Sequence, residues 1–82
     1  MEENKMIPVL DVSGTGKNID RLRRDAGLSV RDMQIALGFG TPNAIYKWLR
    51  GKCMPSLDSL VVLSALLGVA IDDIIEVEWI GG

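Results

Sequence analysis

The chain contains no histidine and one cysteine, Cys53, among its 82 residues. No disulfide can therefore form within it, and neither a Cys/His zinc site nor a Cys/His nucleophile pair can be assembled. Such a chain suits a reducing compartment. Aromatic side chains are scarce, with one tyrosine, one phenylalanine and two tryptophans, so leucine, isoleucine, valine and alanine must fill most of the core. No apolar run approaches the roughly 20 residues of a membrane span. The opening MEENKM is acidic where a secretory signal is basic. The expectation is a cytoplasmic protein that is not an enzyme, with no cofactor, no metal, no membrane association and no small-molecule substrate.

What is present is a globular composition, 48% hydrophobic, in a length that suits one domain with a thin core. The net charge of −2 hides a strong asymmetry. Residues 17–52 hold Lys17, Arg21, Arg23, Arg24, Arg31, Lys47, Arg50 and Lys52 against Asp20, Asp25 and Asp32, a balance of +5. Residues 53–82 hold Asp58, Asp72, Asp73, Glu76 and Glu78 and no base, and residues 1–16 hold Glu2, Glu3, Lys5 and Asp11. A cationic half in so small a domain points to a polyanionic partner on one face.

Punctuation cuts the chain into short helical pieces. Thr15-Gly16 can start a first helix over about 17–26, with Ile19, Leu22 and Ala26 on one face and Gly27 as the C-terminal stop. Ser29 and Asp32 have the spacing of a capping box, and Val30, Met33 and Leu37 continue a second helix over 30–37. Gly38-Phe39-Gly40 is a turn. Thr41 as N-cap and Pro42 at the first helical position restart the chain as a third helix over 42–50.

Ser56 opens a fourth helix. Its residues from Leu57 to Leu67 are apolar almost all round, which predicts burial on most sides. Ile71, Ile74 and Ile75 mark a short fifth helix opened by Asp72 and Asp73. The reading is an all-α, five-helix domain over 17–75, flanked by tails over 1–16 and 76–82. The apolar stretches Met6–Leu10 and Val77–Ile80 predict that these tails are ordered, the second alternating as a strand does, with pairing or dimerisation as their outlets.

The third helix divides cleanly on a helical wheel. Ala44, Ile45, Trp48 and Leu49 fall on one side, and Asn43, Tyr46, Lys47 and Arg50 on the other, within roughly 100°. The second side carries no acid. Asparagine can bond adenine with two hydrogen bonds, lysine and arginine can reach guanine or phosphate, and tyrosine can donate to phosphate. The outer face of any solvated amphipathic helix is also polar, so this row alone leaves both readings open.

Lys17, Arg21 and Arg24 form a second basic row on the first helix, which solubility alone would also explain. The free N–H groups near Ser29 and Thr41 are further phosphate-binding devices. Two chemical motifs fail. Gly14-Thr15-Gly16-Lys17 resembles the end of a phosphate loop, but Asp11 stands in place of its first glycine and Asn18 in place of its Ser/Thr. The acids Asp72, Asp73, Glu76 and Glu78 match neither a calcium loop nor paired catalytic carboxylates.

The segments NIDRLRRDAGLS, IALG, AIYKWLRG and MPSLDSLVVLSALLGVAIDDII follow one another between Gly16 and Ile75. In this order they resemble the XRE family of phage repressor and Cro-like helix-turn-helix domains. The resemblance implies a lambda-repressor-like fold whose helix-turn-helix spans about 30–50, with the 42–50 helix in the major groove and paired copies on half-sites about one DNA turn apart. By position it puts Thr41, Pro42, Asn43 and Lys47 near bases, and Lys17, Arg21, Val30 and Arg31 near phosphates. The sequence departs from the family pattern in a turn one residue longer at Gly38-Phe39-Gly40-Thr41. It also has Gln34 where a small alanine is usual, and Leu49 where Glu or Gln is usual.

The combined candidates are Thr41, Pro42, Asn43, Tyr46 and Lys47 for bases, and Lys17, Arg21, Arg24, Ser29, Arg31, Arg50 and Lys52 for phosphates. The expected function is sequence-specific binding of double-stranded DNA by a homodimeric transcriptional regulator, expected to be a repressor. Its dimer surface is expected on the fifth helix with Val77, Trp79 and Ile80. The alternative is a protein-interaction module, such as an antitoxin-like partner, that uses the acidic C-terminal half or the Trp79 surface.

Overall fold

Apolar side chains three and four residues apart lead every helix of this chain to one core. The computed structural model describes residues 5–81; Glu2 and Glu3 of the acidic opening, and Gly82, lie outside the described residues. The element order is β1 (Met6–Leu10), α1 (Val12–Asp25), α2 (Val30–Leu37), α3 (Asn43–Leu49), α4 (Leu57–Leu67), α5 (Ile71–Ile74) and β2 (Val77–Gly81). Ile19 of α1, Met33 of α2, Ile45 and Trp48 of α3, Leu60 and Leu63 of α4, and Ile74 of α5 are the buried apolar set. Five helices thus share a core to which none contributes more than two fully buried apolar side chains, as expected of so short a chain.

The helix count agrees with the sequence reading, but the all-α class does not. β1 and β2 pair antiparallel, with Met6 opposite Gly81, Pro8 opposite Trp79 and Leu10 opposite Val77. Each strand is too short and too apolar to remain solvated alone, and pairing satisfies half of the backbone groups of each. All residues from Met6 to Leu10 remain exposed, as do Glu78 to Gly81, so the ribbon stands clear of the helices. The molecule is correspondingly long, 52 × 23 × 20 Å.

α1 begins five residues before its predicted start at 17. Asp11, not Thr15, supplies the N-cap, its carboxylate accepting from Gly14 N–H at 2.9 Å. Gly14 and Gly16, both poor helix formers, therefore lie inside the helix, Gly14 against the Asp11 carboxylate and Glu76, and Gly16 against the backbone of α3. Thr15 is buried, and its hydroxyl accepts from Glu76 N–H at 2.9 Å. Asn18 donates to the Ile74 carbonyl and the Glu76 carboxylate, both at 3.2 Å. The residues that resembled a phosphate loop thus tie α1 to the end of α5. Ala26, predicted for the buried side, is exposed.

α4 departs from its predicted burial on most sides. Ser56 caps it as expected, accepting from Ser59 N–H. However, Leu57 is 71% exposed and Val61 55% exposed, while Leu60 and Leu63 face the core. Four other helices of four to fourteen residues are too little material to surround α4. α5 also turns inward: Ile74 is buried and Ile71 and Ile75 half-buried, so its apolar face is spent on the core and is not the free dimer surface expected of it. Asp73 caps its first turn, accepting from Ala70 N–H at 3.2 Å. Among the described residues no helix is long and apolar enough to cross a membrane.

Candidate nucleic-acid interface

The turn between α2 and α3 sets the position of the outward row. α2 starts on Ser29, whose hydroxyl accepts from Asp32 N–H at 3.0 Å while the Asp32 carboxylate accepts from Ser29 N–H at 2.8 Å. The Ser29 backbone bond, and after it the Ser29 side chain, hold the Asp32 carboxyl below the usual carboxylate range against a small opposing effect of desolvation. α2 ends at Gly38, whose φ of 73° is the left-handed conformation that closes a helix and that glycine adopts without strain.

The turn is fastened from both sides. Phe39 N–H donates to the Gln34 carbonyl at 3.0 Å, and the Gln34 side-chain amide donates back to the Phe39 carbonyl at 3.3 Å. The Phe39 ring meets Trp48 edge-on, with centroids 5.9 Å apart. Gln34, the residue that stands where the family pattern has a small alanine, therefore serves the longer turn. Its role has no signal in sequence spacing.

α3 starts one residue later than predicted. Pro42 occupies the flanking position and Thr41 is not the N-cap, although its hydroxyl accepts from Asn43 N–H at 3.4 Å. The predicted division of the helix holds. Ile45 and Trp48 are buried and Ala44 and Leu49 half-buried, while Asn43, Tyr46, Lys47 and Arg50 are exposed. The Arg50 guanidinium lies 5.8 Å from the centroid of the Tyr46 ring, a cation–π arrangement that joins these two members of the row. Behind the row, α1 crosses the C-terminal end of α3 at Gly16.

The remaining cations differ in how free they are. Arg24 pairs with Asp20 at 3.0 Å and Arg21 with Asp25 at 3.8 Å, so two members of the α1 row face carboxylates of their own helix. Arg23 is held at the inner side by Asp20 and by the Leu28 carbonyl. Among the described residues Lys17, Arg31, Lys47, Arg50 and Lys52 form no ion pair, and all five are exposed. Ser29 spends its hydroxyl on the cap, which leaves the neighbouring free N–H groups, not the side chain, for an anion.

Comparisons with known proteins agree with this geometry. A family model described as the Cro/C1-type HTH DNA-binding domain matches residues 18–78. The restriction-modification controller protein C.AhdI from Aeromonas hydrophila is similar in structure, with a TM-score of 0.70 at 22% identity over 78% of this chain and 96% of that one. The clp gene regulator ClgR from C. glutamicum is similar too, with a TM-score of 0.68 at 23% identity over 80% of this chain and 84% of that one. No curated protein matches the sequence. The matched span runs from the middle of α1 through α2 to α5 and into the start of β2, with an exposed, acid-free row on α3, and the chain belongs to the family of Cro/C1-type helix-turn-helix DNA-binding domains.

Proposed function

We propose that this protein is a cytoplasmic transcriptional repressor that binds duplex DNA sequence-specifically as a homodimer and has no catalytic activity. The observation that carries this reading is the outward row of α3: Asn43, Tyr46, Lys47 and Arg50 are exposed on a helix whose other side is locked by Ile45 and Trp48. A helix held so firmly presents its outer side chains in fixed register, which base readout in the major groove requires. The regulatory role is by analogy with C.AhdI, a restriction-modification controller, and ClgR, a clp gene regulator, whose fold this chain shares.

In this reading Thr41, Pro42, Asn43, Tyr46 and Lys47 approach base edges, and Lys17, Arg21, Arg24, Arg31, Arg50, Lys52 and the backbone near Ser29 meet phosphates. Arg21 and Arg24 exchange a carboxylate for a phosphate on binding. Exposed ion pairs of this kind contribute about 0–1 kcal/mol, so the exchange costs little. A second copy is needed because one short helix contacts too few base pairs for useful affinity.

The test is selection from random duplex DNA at near-physiological salt, run beside a Lys47→Glu/Arg50→Glu double variant. One palindromic motif, enriched by the native protein and not by the variant, is the expected result. No enrichment by a folded native protein overturns the reading and favours a protein partner instead.

A further inference from the structure

The β ribbon contributes none of the residues proposed above to meet DNA. It is also unstable company for water: Met6, Ile7, Leu10, Trp79 and Ile80 are each more than half exposed or at half, and an isolated two-stranded ribbon is at best marginally stable. Neither strand contains a cation, which rules out phosphate as the occupant.

Its hydrogen-bonding pattern identifies which edge is open. Asp11 N–H donates to the Glu76 carbonyl at 2.9 Å, continuing the register in which Leu10 faces Val77. Directly opposed residues of an antiparallel pair alternate between bonding one another and turning their backbone groups outward. Val9 with Glu78 and Ile7 with Ile80 are therefore bonding pairs, while Met6, Pro8 and Leu10 turn outward on β1 and Val77, Trp79 and Gly81 on β2. The outward donor at the centre of β1 is missing because Pro8 has no N–H, a common protection of an edge strand. β2 keeps a full row of outward donors and acceptors.

We propose that this edge of β2 pairs antiparallel with β2 of a second copy, about a two-fold axis at Trp79, to give a four-stranded sheet in the order β1-β2-β2-β1. The edge is complementary to itself: Trp79 of one copy faces Trp79 of the other, and Val77 faces Gly81, each with outward N–H and C=O groups. Such self-matching is what a two-fold interface requires. Glu78, the one charge in the ribbon, falls opposite Ile80 of the other copy, so no like charges are directly opposed. The interface deepens the dimeric reading above and rests on it, naming the surface that joins the copies.

The test is the mass of the full chain in solution without DNA, by sedimentation equilibrium, for the native protein, Trp79→Glu, Trp79→Lys and an equimolar mixture of the two variants. The native protein is expected at twice the mass of one chain. Each variant is expected at the mass of one chain with unchanged helical circular dichroism, because it sets like charges against each other across the axis. The mixture is expected to regain the doubled mass. A native protein of single-chain mass, variants that stay doubled, or a mixture that fails to recover each overturn the proposal. A native dimer that enriches no DNA motif sinks the DNA-binding reading alone, and a monomer that enriches one sinks this interface alone.

Discussion

Gly16 of α1 lies directly against the carbonyl oxygen of Trp48 in α3, so close that a Cβ at Gly16 would overlap that oxygen. α3 is thus held at its C-terminal end by a contact that only a residue without a side chain permits. Backbone against backbone leaves no flexible group to move aside, so any substitution must push the two helices apart.

Gly16→Ala is expected to destabilise the fold by about 1–3 kcal/mol or more, as overpacking does, and to weaken DNA binding by tilting α3. Gly40→Ala, in the turn, meets nothing within 4 Å and is expected to be near neutral. Denaturant midpoints of the two variants check the contrast.

On α4, Leu63→Ala removes a fully buried side chain and is expected to cost about 2–5 kcal/mol. Val61→Ser on the same helix changes an exposed position, and its cost is expected to stay within about 0.5 kcal/mol. Equal losses in thermal or urea unfolding would mean that α4 is enclosed on both sides.

The Asp32 cap gives stability a defined acid dependence. A carboxyl held low in the folded state stabilises it fully above the ordinary aspartate value, and the contribution is lost as pH falls through the lowered folded value. Asp32→Asn is therefore expected to be less stable than the native protein at neutral pH and to converge with it in strong acid. Urea unfolding of both proteins from neutral pH downwards checks this.

The pairing of Arg50 with Tyr46 predicts unequal effects of two tyrosine substitutions. Tyr46→Phe keeps the ring under the guanidinium and is expected to retain more DNA affinity than Tyr46→Ala. The latter frees Arg50 and loses a contact of about 0.5–1 kcal/mol. Titration of a selected DNA duplex measures both.

Pro8→Val restores the missing outward donor of β1. With both ribbon edges open, the protein is expected to form assemblies larger than the native one, detected by light scattering; an unchanged mass would argue that Pro8 protects nothing.

Much of the helical frame was legible in the chain. Ser29 with Asp32 marks the start of α2, Ser56 that of α4, and Gly38 and Gly68 close their helices, because caps act within a few residues and leave local signatures. The division of α3 into buried Ile45 and Trp48 and exposed Asn43, Tyr46, Lys47 and Arg50 follows from periodicity alone. The start of α1 was hidden because Gly14 and Gly16 lower helix propensity where tertiary packing requires helix. Asp11, three residues before Gly14, was the cap signal available there.

The sequence by itself determined that there are five helices, where most of them stop, and which side of α3 meets solvent, since these depend on neighbours within one or two turns. The tertiary structure alone decided that α1 passes over α3 at Gly16, that Gln34 fastens the turn before α3, that α4 is covered on one side only, and that residues 6–10 pair with residues 77–81. Each of these joins groups that meet only when the helices pack, and the energy of such meetings depends on a geometry that spacing along the chain does not encode.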